Sequence, residues 1–321
     1  MTGGARVGVV TAVVVVALTA CGGSAPGGVA AGGVGSPGVA SRSASSSIAT
    51  GSSVAPGPTS SSASDPSRPV TATAAPMRSG TAAPDPAATP PAATPPAGTP
   101  VTGLREATTF TTVRGTTVVG PVSPDGLVLH PRTAVAVFTA PGGRVAAALP
   151  ATQLGSPTWV PVLREVGGWS EVLLPSRPNG STGWVASGDH GGYDLARSDA
   201  VVRVRLREAR MSIERDGRQV GSWPVVIGAP ATPTPAGTTF VMASVEDPGN
   251  AYSRYLLPLG WHSNTLDSFG GGPGTVAVHG WRDPSIFTRR DRELSHGCIR
   301  VPKAALSVAR SLPVGTLIVI S

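Results

Sequence analysis

Lysine is nearly missing from this chain. Lys303 is the only one, and arginine carries almost all of the positive charge behind the net +7. No basic block is interleaved with aromatics and no nucleic-acid motif is present, which excludes DNA and RNA as partners. The surplus suits an anionic cell wall. Cysteine is as scarce, with Cys21 and Cys298 alone. Two cysteines give no disulfide framework and no Cys-x-x-Cys pair of the kind that marks zinc sites. Long apolar runs are also lacking. The N-terminal run, Val7 to Leu18, holds 12 residues, short of the about 20 that cross a hydrocarbon core.

That run follows Arg6, the only charge before it, and fits the apolar region of a secretory signal. Leu18-Thr19-Ala20-Cys21 comes next and resembles a bacterial lipobox, in which small residues precede a cysteine that is lipidated and becomes the new N-terminus. Residues 1–20 are therefore expected to be a lipoprotein signal peptide. Cys21 is expected to be the lipidation site, holding the chain extracytoplasmically on the outer face of the bacterial cell membrane. A lipidated Cys21 is no disulfide partner for Cys298.

Residues 21–112 collapse into Ser, Ala, Pro, Gly and Thr, with almost no aromatics and little charge. Such a composition forms no core and reads as a disordered tether. Its root-mean-square reach is about 50 Å, enough to let an anchored domain search the layer above the membrane. Passive low-complexity sequence, glycosylated on Ser and Thr, is the alternative.

Two folded segments follow, and both read as mainly β. Residues 113–193 carry short apolar runs at Ala134–Phe138, Trp159–Leu163, Ser170–Leu174 and Gly183–Ala186, with turn residues every few positions. This spacing predicts a small barrel or sandwich. Gly168-Trp169 and Gly183-Trp184-Val185 resemble the bacterial SH3-like wall-binding domain, and both tryptophans read as core. Residues 104–126 have no clear assignment. In 200–321, Val202, Val204 and Leu206 alternate with arginines as in a half-buried strand. Asp216-Gly217 suits a hairpin turn. Val276 and Val278 share one strand face, with Ala277 and His279 on the other. Ala305, Val308, Ala309 and Leu312 predict one short helix behind Pro302, and Thr316–Ile320 a final strand.

The chemistry gathers around Cys298, in Ser295-His296-Gly297-Cys298-Ile299-Arg300, with His279-Gly280 upstream. Thiolate is the reactive form of cysteine, and a nearby imidazole is the usual means of making it. Residues 279 and 298 lie 19 positions apart, so only tertiary folding can bring them together, as in most nucleophile–base pairs. If the segment is extended, His296 and Cys298 share a face. Gly297 removes bulk, and the amides of Cys298 and Gly297 are candidate oxyanion donors. Arg300 offers a planar fork for a carboxylate. Two other readings compete. One is a packing cysteine among packing histidines. The other is a zinc site from His279, His296 and Cys298 with His262 as fourth ligand, for which His262 is instead read as a groove or surface residue.

His279-Gly280, an interval of fifteen positions, then Ser295-His296-Gly297-Cys298-Ile299-Arg300 resembles the signature of the YkuD-type L,D-transpeptidases. Thr232-Pro-Thr-Pro-Ala-Gly237 before Phe240 resembles that family's Thr-Pro-x-Gly stretch. The likeness covers about Val201 to Ser321. It implies a β-rich catalytic domain with Cys298 as nucleophile, His279 as base, and the Gly280 carbonyl orienting the imidazole. His296 and Ser295 would shape the site, with Ser295 and Arg300 toward substrate; many relatives carry Asn at the position of Arg300. The implied activity is formation of 3→3 peptidoglycan cross-links through a thioester, with D-alanine released from a tetrapeptide stem. Donor and acceptor stem peptides are then the partners, the state is monomeric, and no cofactor or metal is needed. An L,D-carboxypeptidase and an inactive wall-binding lipoprotein are the rivals.

Overall fold

The computed structural model describes residues 94, 98–114, 125–186 and 192–321. The expected signal peptide, Cys21 and most of the expected tether lie outside the described residues. The described chain is mainly β, with one α-helix, Lys303–Ala309, among them. No helix among the described residues is long and apolar enough to cross a membrane.

The first part is a seven-stranded antiparallel sheet in the order Val145–Leu149, Val135–Phe138, Thr182–Ala186, Trp169–Leu173, Val160–Val166, Leu127–Pro131, Tyr193–Arg197. Four of its strands, Val135–Phe138, Val160–Val166, Trp169–Leu173 and Thr182–Ala186, overlap the apolar runs expected from the sequence; Leu127–Pro131, Val145–Leu149 and Tyr193–Arg197 were not among them. Trp169 is fully buried, and Trp184 is buried beside Phe138 and Ala136 in one cluster. Phe138 meets Trp169 edge-on at 5.0 Å between centroids. The core does not stop at this sheet. Phe240, Met242 and Leu317, from the C-terminal part, share one cluster with Leu129, Val137, Leu149 and Val160. Each such fully buried apolar side chain contributes about 1.5–3 kcal/mol, so the two parts fold onto a common core.

The stretch that the sequence left unassigned has a definite place. Ala107 and Val113 are buried. The Ala107 amide donates to the Ala148 carbonyl at 2.7 Å, and the Val113 amide to the Arg177 carbonyl at 3.0 Å. Residues 104–113 thus form a strap along the first sheet.

In the second part, Ala200–Arg205, Arg210–Arg215 and Arg218–Pro224 form a meander, with Leu317–Ile320 parallel to the first and Gly237–Phe240 beyond it. The 200–205 strand buries Ala200, Val202 and Val204, as its alternation predicts. Asp216 and Gly217 turn the hairpin with φ of +48° and +70°, the left-handed pair such a two-residue turn requires. A second sheet runs Val245–Glu246, Tyr255–His262, Thr275–His279, Ile299–Arg300. Its last pair is parallel, so the chain must cross over between residues 280 and 298. That crossover delivers the cysteine loop to the edge of the sheet. The helix follows at once, burying Ala305 and Ala309.

Candidate active site

Strand alternation brings the two reactive side chains to one face. Val278 pairs with Ile299 and His279 with Arg300. Val276, Val278, Ile299 and Val301 all enter the main core. Side chains of alternate parity then point the other way, and there Cys298 packs with Ala277 and Phe269. His279 stands two residues beyond Ala277 on that same face, diagonal to Cys298. The sulfur is in no disulfide and is buried, 4% exposed.

His279 Nδ1 lies 2.7 Å from the Gly280 carbonyl oxygen. A carbonyl only accepts, so Nδ1 carries the proton and Nε2 presents its lone pair. Nε2 is buried and hydrogen-bonded to no described group. The Gly280 peptide is itself pinned, because its N–H donates to Ser253 Oγ at 2.9 Å and that hydroxyl donates to the Tyr255 carbonyl at 2.7 Å. A Cβ at residue 280 would stand 3.0 Å from Ser253 Oγ and 3.2 Å from Leu306 Cδ2, so glycine is what permits the approach. Ser253 carries no sequence signal; only the fold brings it here.

The cysteine loop is not extended, contrary to the expectation for His296–Cys298. It bends at His296-Gly297, and Gly297 sits at φ +109°, which only glycine adopts without strain. Ser295 holds the bend. Its Oγ donates to the Cys298 carbonyl at 2.6 Å and accepts from the Gly297 amide at 3.1 Å. Two expectations change as a result. Ser295 is 1% exposed and spends its hydroxyl inside the loop, where substrate was expected to meet it. The Gly297 amide is engaged with that hydroxyl and is not an oxyanion donor in this arrangement. The Thr-Pro stretch braces the same loop from outside: Thr232 Oγ1 donates to the Ser295 carbonyl at 3.0 Å, and Thr234 Oγ1 to the Gly297 carbonyl at 2.8 Å. Threonine at these positions is a loop brace, since one hydroxyl adds a second donor to the Ser295 carbonyl, which also accepts from the Ala229 amide, and the other donates to the Gly297 carbonyl in the bend.

Aromatic rings wall the site. Phe269 packs against the Ala277–Cys298 pair and lies 5.0 Å, centroid to centroid, from the half-buried His296 ring. Trp281 stacks on Tyr252 at 4.9 Å and stands 6.3 Å from the His279 ring. Arg300 is 5% exposed, and its guanidinium carbon lies 3.7 Å from the Trp281 ring centroid, a cation–π arrangement. Phe269, Trp281 and Tyr252 escaped the sequence reading because nothing in their spacing ties them to Cys298.

His262 was expected on a groove or surface and is instead fully buried. Its Nε2 contacts the Thr109 carbonyl at 2.7 Å and Thr109 Oγ1 at 3.0 Å. That nitrogen is committed to the strap, and among the described residues no three His, Cys, Asp or Glu side chains are placed to hold a metal ion together. Burial pushes its pKa down to about 4.

Residues 199–320 match the family model of the YkuD L,D-transpeptidase catalytic domain. The Bacillus subtilis (strain 168) protein YkuD, named as an L,D-transpeptidase, is 23% identical over 121 residues, 37% of this chain and 65% of the relative's length. Among solved structures, an L,D-transpeptidase from Mycobacterium smegmatis has a TM-score of 0.30 at 19% identity, covering 45% of this chain and 75% of that one. The catalytic domain of the E. faecium L,D-transpeptidase has a TM-score of 0.29 at 22% identity, covering 39% and 98%. The motif around Cys298 and the match to the YkuD family model coincide on the same stretch, residues 199–320.

Proposed function

We propose that the protein is a peptidoglycan L,D-transpeptidase that forms 3→3 cross-links through a thioester on Cys298. The observation that carries this reading is the buried His279 imidazole, its Nδ1 proton held by the Gly280 carbonyl, with Nε2 turned toward the face that Cys298 shares. In the proposed cycle, His279 Nε2 takes the thiol proton and the Cys298 sulfur attacks the carbonyl that links an L-centre to a terminal D-amino acid. The Cys298 amide is the oxyanion donor in this reading. The C–N bond breaks as imidazolium His279 returns the proton to the leaving amine, and D-alanine departs. A thioester remains. An amine on a neighbouring stem, read as the diaminopimelate side chain, attacks it and gives its proton to His279. The sulfur leaves and the cross-link is complete. The Arg300 cation against Trp281 supplies positive charge for a stem carboxylate. Every step is proton transfer or acyl transfer by the chain's own groups.

Cys21 as a lipid anchor, residues 21–112 as a tether and the first sheet as an SH3-like wall-binding domain complete the proposal. It places the reaction outside the cytoplasmic membrane.

Purified protein given a tetrapeptide stem and an acceptor amine should yield cross-linked product with loss of D-alanine. Omitting the acceptor should leave the donor largely unconsumed. Tripeptide formed equally with and without acceptor would make the enzyme an L,D-carboxypeptidase. Chromatography with mass detection of both products separates the two.

A further inference from the structure

The segment Ser263–Gly274 leaves the sheet and returns to it, closed at its neck by the Ser263 amide donating to the Gly274 carbonyl at 2.8 Å. At its tip, Phe269 and Gly272 exchange backbone hydrogen bonds of 3.0 and 2.9 Å. This flap places Phe269 against the buried Ala277–Cys298 pair and against the His296 ring. No residue of the catalytic domain's own motif holds the neck. The partner comes from the first sheet, in the turn between Leu174 and Ser181. Arg177 Nη1 donates to the Ser263 carbonyl at 3.3 Å, and Nη2 to the carbonyls of Leu266 at 3.3 Å and Pro273 at 2.8 Å. One guanidinium thus grips both sides of the neck.

Two further bonds secure it. Asn179 Nδ2 donates to the His262 carbonyl at 2.8 Å, and the His262 amide donates to Asn179 Oδ1 at 2.9 Å. The strap is joined to the same turn, because the Arg177 amide donates to the Thr111 carbonyl and the Val113 amide to the Arg177 carbonyl. Arg177 makes no ion pair with a carboxylate among the described residues, so its charge acts on backbone carbonyls. Hydrogen bonds from a charged donor are stronger than neutral ones. The carbonyls it holds, at 263, 266 and 273, bracket the tip and leave 267–272 outside the grip. The tip contains Gly270, Gly271 and Gly272, residues that let backbone dihedrals swing.

We propose that Arg177 is a positioning residue. It clamps the flap neck so that the tip alone hinges, and it thereby sets how often Phe269 uncovers the Cys298 sulfur. The first sheet is then part of the active site's machinery as well as its neighbour. The proposal deepens the reading of Cys298 as the nucleophile, but the clamp is tested without relying on transpeptidation.

The test is the rate at which iodoacetamide alkylates Cys298 in the full chain, followed by mass analysis of the peptide that contains it. Arg177→Ala is expected to raise the rate about tenfold, the factor that corresponds to losing roughly one hydrogen bond from a charged donor. Arg177→Lys, whose point charge cannot span both sides of the neck, is expected to fall between. Phe269→Ala is expected to raise the rate by itself, and Arg177→Ala added to it should give no further increase. An unchanged rate in Arg177→Ala with a wild-type melting temperature, or rates that multiply in the double variant, would overturn the clamp. If Arg177→Ala does not fold, hydrogen exchange on the wild type decides. The Ser263 amide should then exchange more slowly than those of Phe269 and Gly272, and the reverse order overturns the proposal. Alkylation that responds to Arg177 in a protein that takes no carbapenem adduct would leave the clamp standing and remove the proposed function.

Discussion

Acylation of Cys298 should slow about 10²–10⁴-fold when His279 is replaced by alanine, the range that one positioned general base supplies. His279 is 1% exposed, its Nδ1 is committed to the Gly280 carbonyl, and its Nε2 is the buried lone pair on the Cys298 face. His296 is no substitute, since its ring packs on Phe269 and sits on the bent loop beside Gly297. The variant's thiol would then lose its proton only to solvent, so its residual rate should climb with pH more steeply than that of the wild type. Added imidazole should enter the space left by the side chain and restore part of the rate. Stopped-flow or mass-based acylation kinetics against pH read all three. A variant as fast as wild type at neutral pH would remove His279 from the base role.

The second large effect is on stability. His262 is buried, and a proton on its Nδ1 would meet no described hydrogen-bond acceptor. Desolvation is the first cause of its lowered pKa, opposed by the hydrogen bond to Thr109 and reinforced by the nearby Arg177 charge. Above pH 6.5 the imidazole is neutral in both folded and unfolded chains and contributes no pH dependence. As the pH falls from 6.5 towards 4, the unfolded chain takes the proton and the folded one does not. Stability is therefore lost across that window, by roughly 3 kcal/mol, and this contribution levels off below it. Urea titrations between pH 7.5 and 4.5 should show the loss in wild type and a much shallower slope in His262→Gln. The comparison isolates this residue from the other histidines and from carboxylates. Equal slopes in the two proteins would contradict it. Thr109 should follow the same pH course locally, because its carbonyl and hydroxyl hold the ring.

What could be read ahead of the fold was whatever repeats or stays local. Val202 and Val204 announced a strand by alternation, Asp216-Gly217 announced its hairpin, and Ala277 with His279 announced the face opposite Val276 and Val278. That alternation gave His279 its face; the parallel pairing of Thr275–His279 with Ile299–Arg300, which no local pattern announces, brings it beside the cysteine loop. Other features depended on partners far along the chain. Ser295 looked like a substrate contact until the bend at Gly297 turned its hydroxyl inward. His262 looked exposed because its partner, Thr109, lies 153 positions away in a stretch composed like the tether. Arg177 stands in a turn of the first sheet, where an arginine signals nothing; only tertiary packing sets it over three flap carbonyls. Thr232 and Thr234 were legible as a motif, and the fold supplies the reason, two hydroxyls bracing the carbonyls of Ser295 and Gly297.

The most direct measurement is the intact mass of the full chain after exposure to a carbapenem. The Cys298 sulfur should open the lactam ring, forming a thioester as the ring C–N bond breaks and the nitrogen takes up a proton. The whole mass of the drug then stays on the protein. One adduct per chain is expected in wild type and none in Cys298→Ala. No adduct in wild type, or the same adduct in Cys298→Ala, would contradict a nucleophilic cysteine at residue 298.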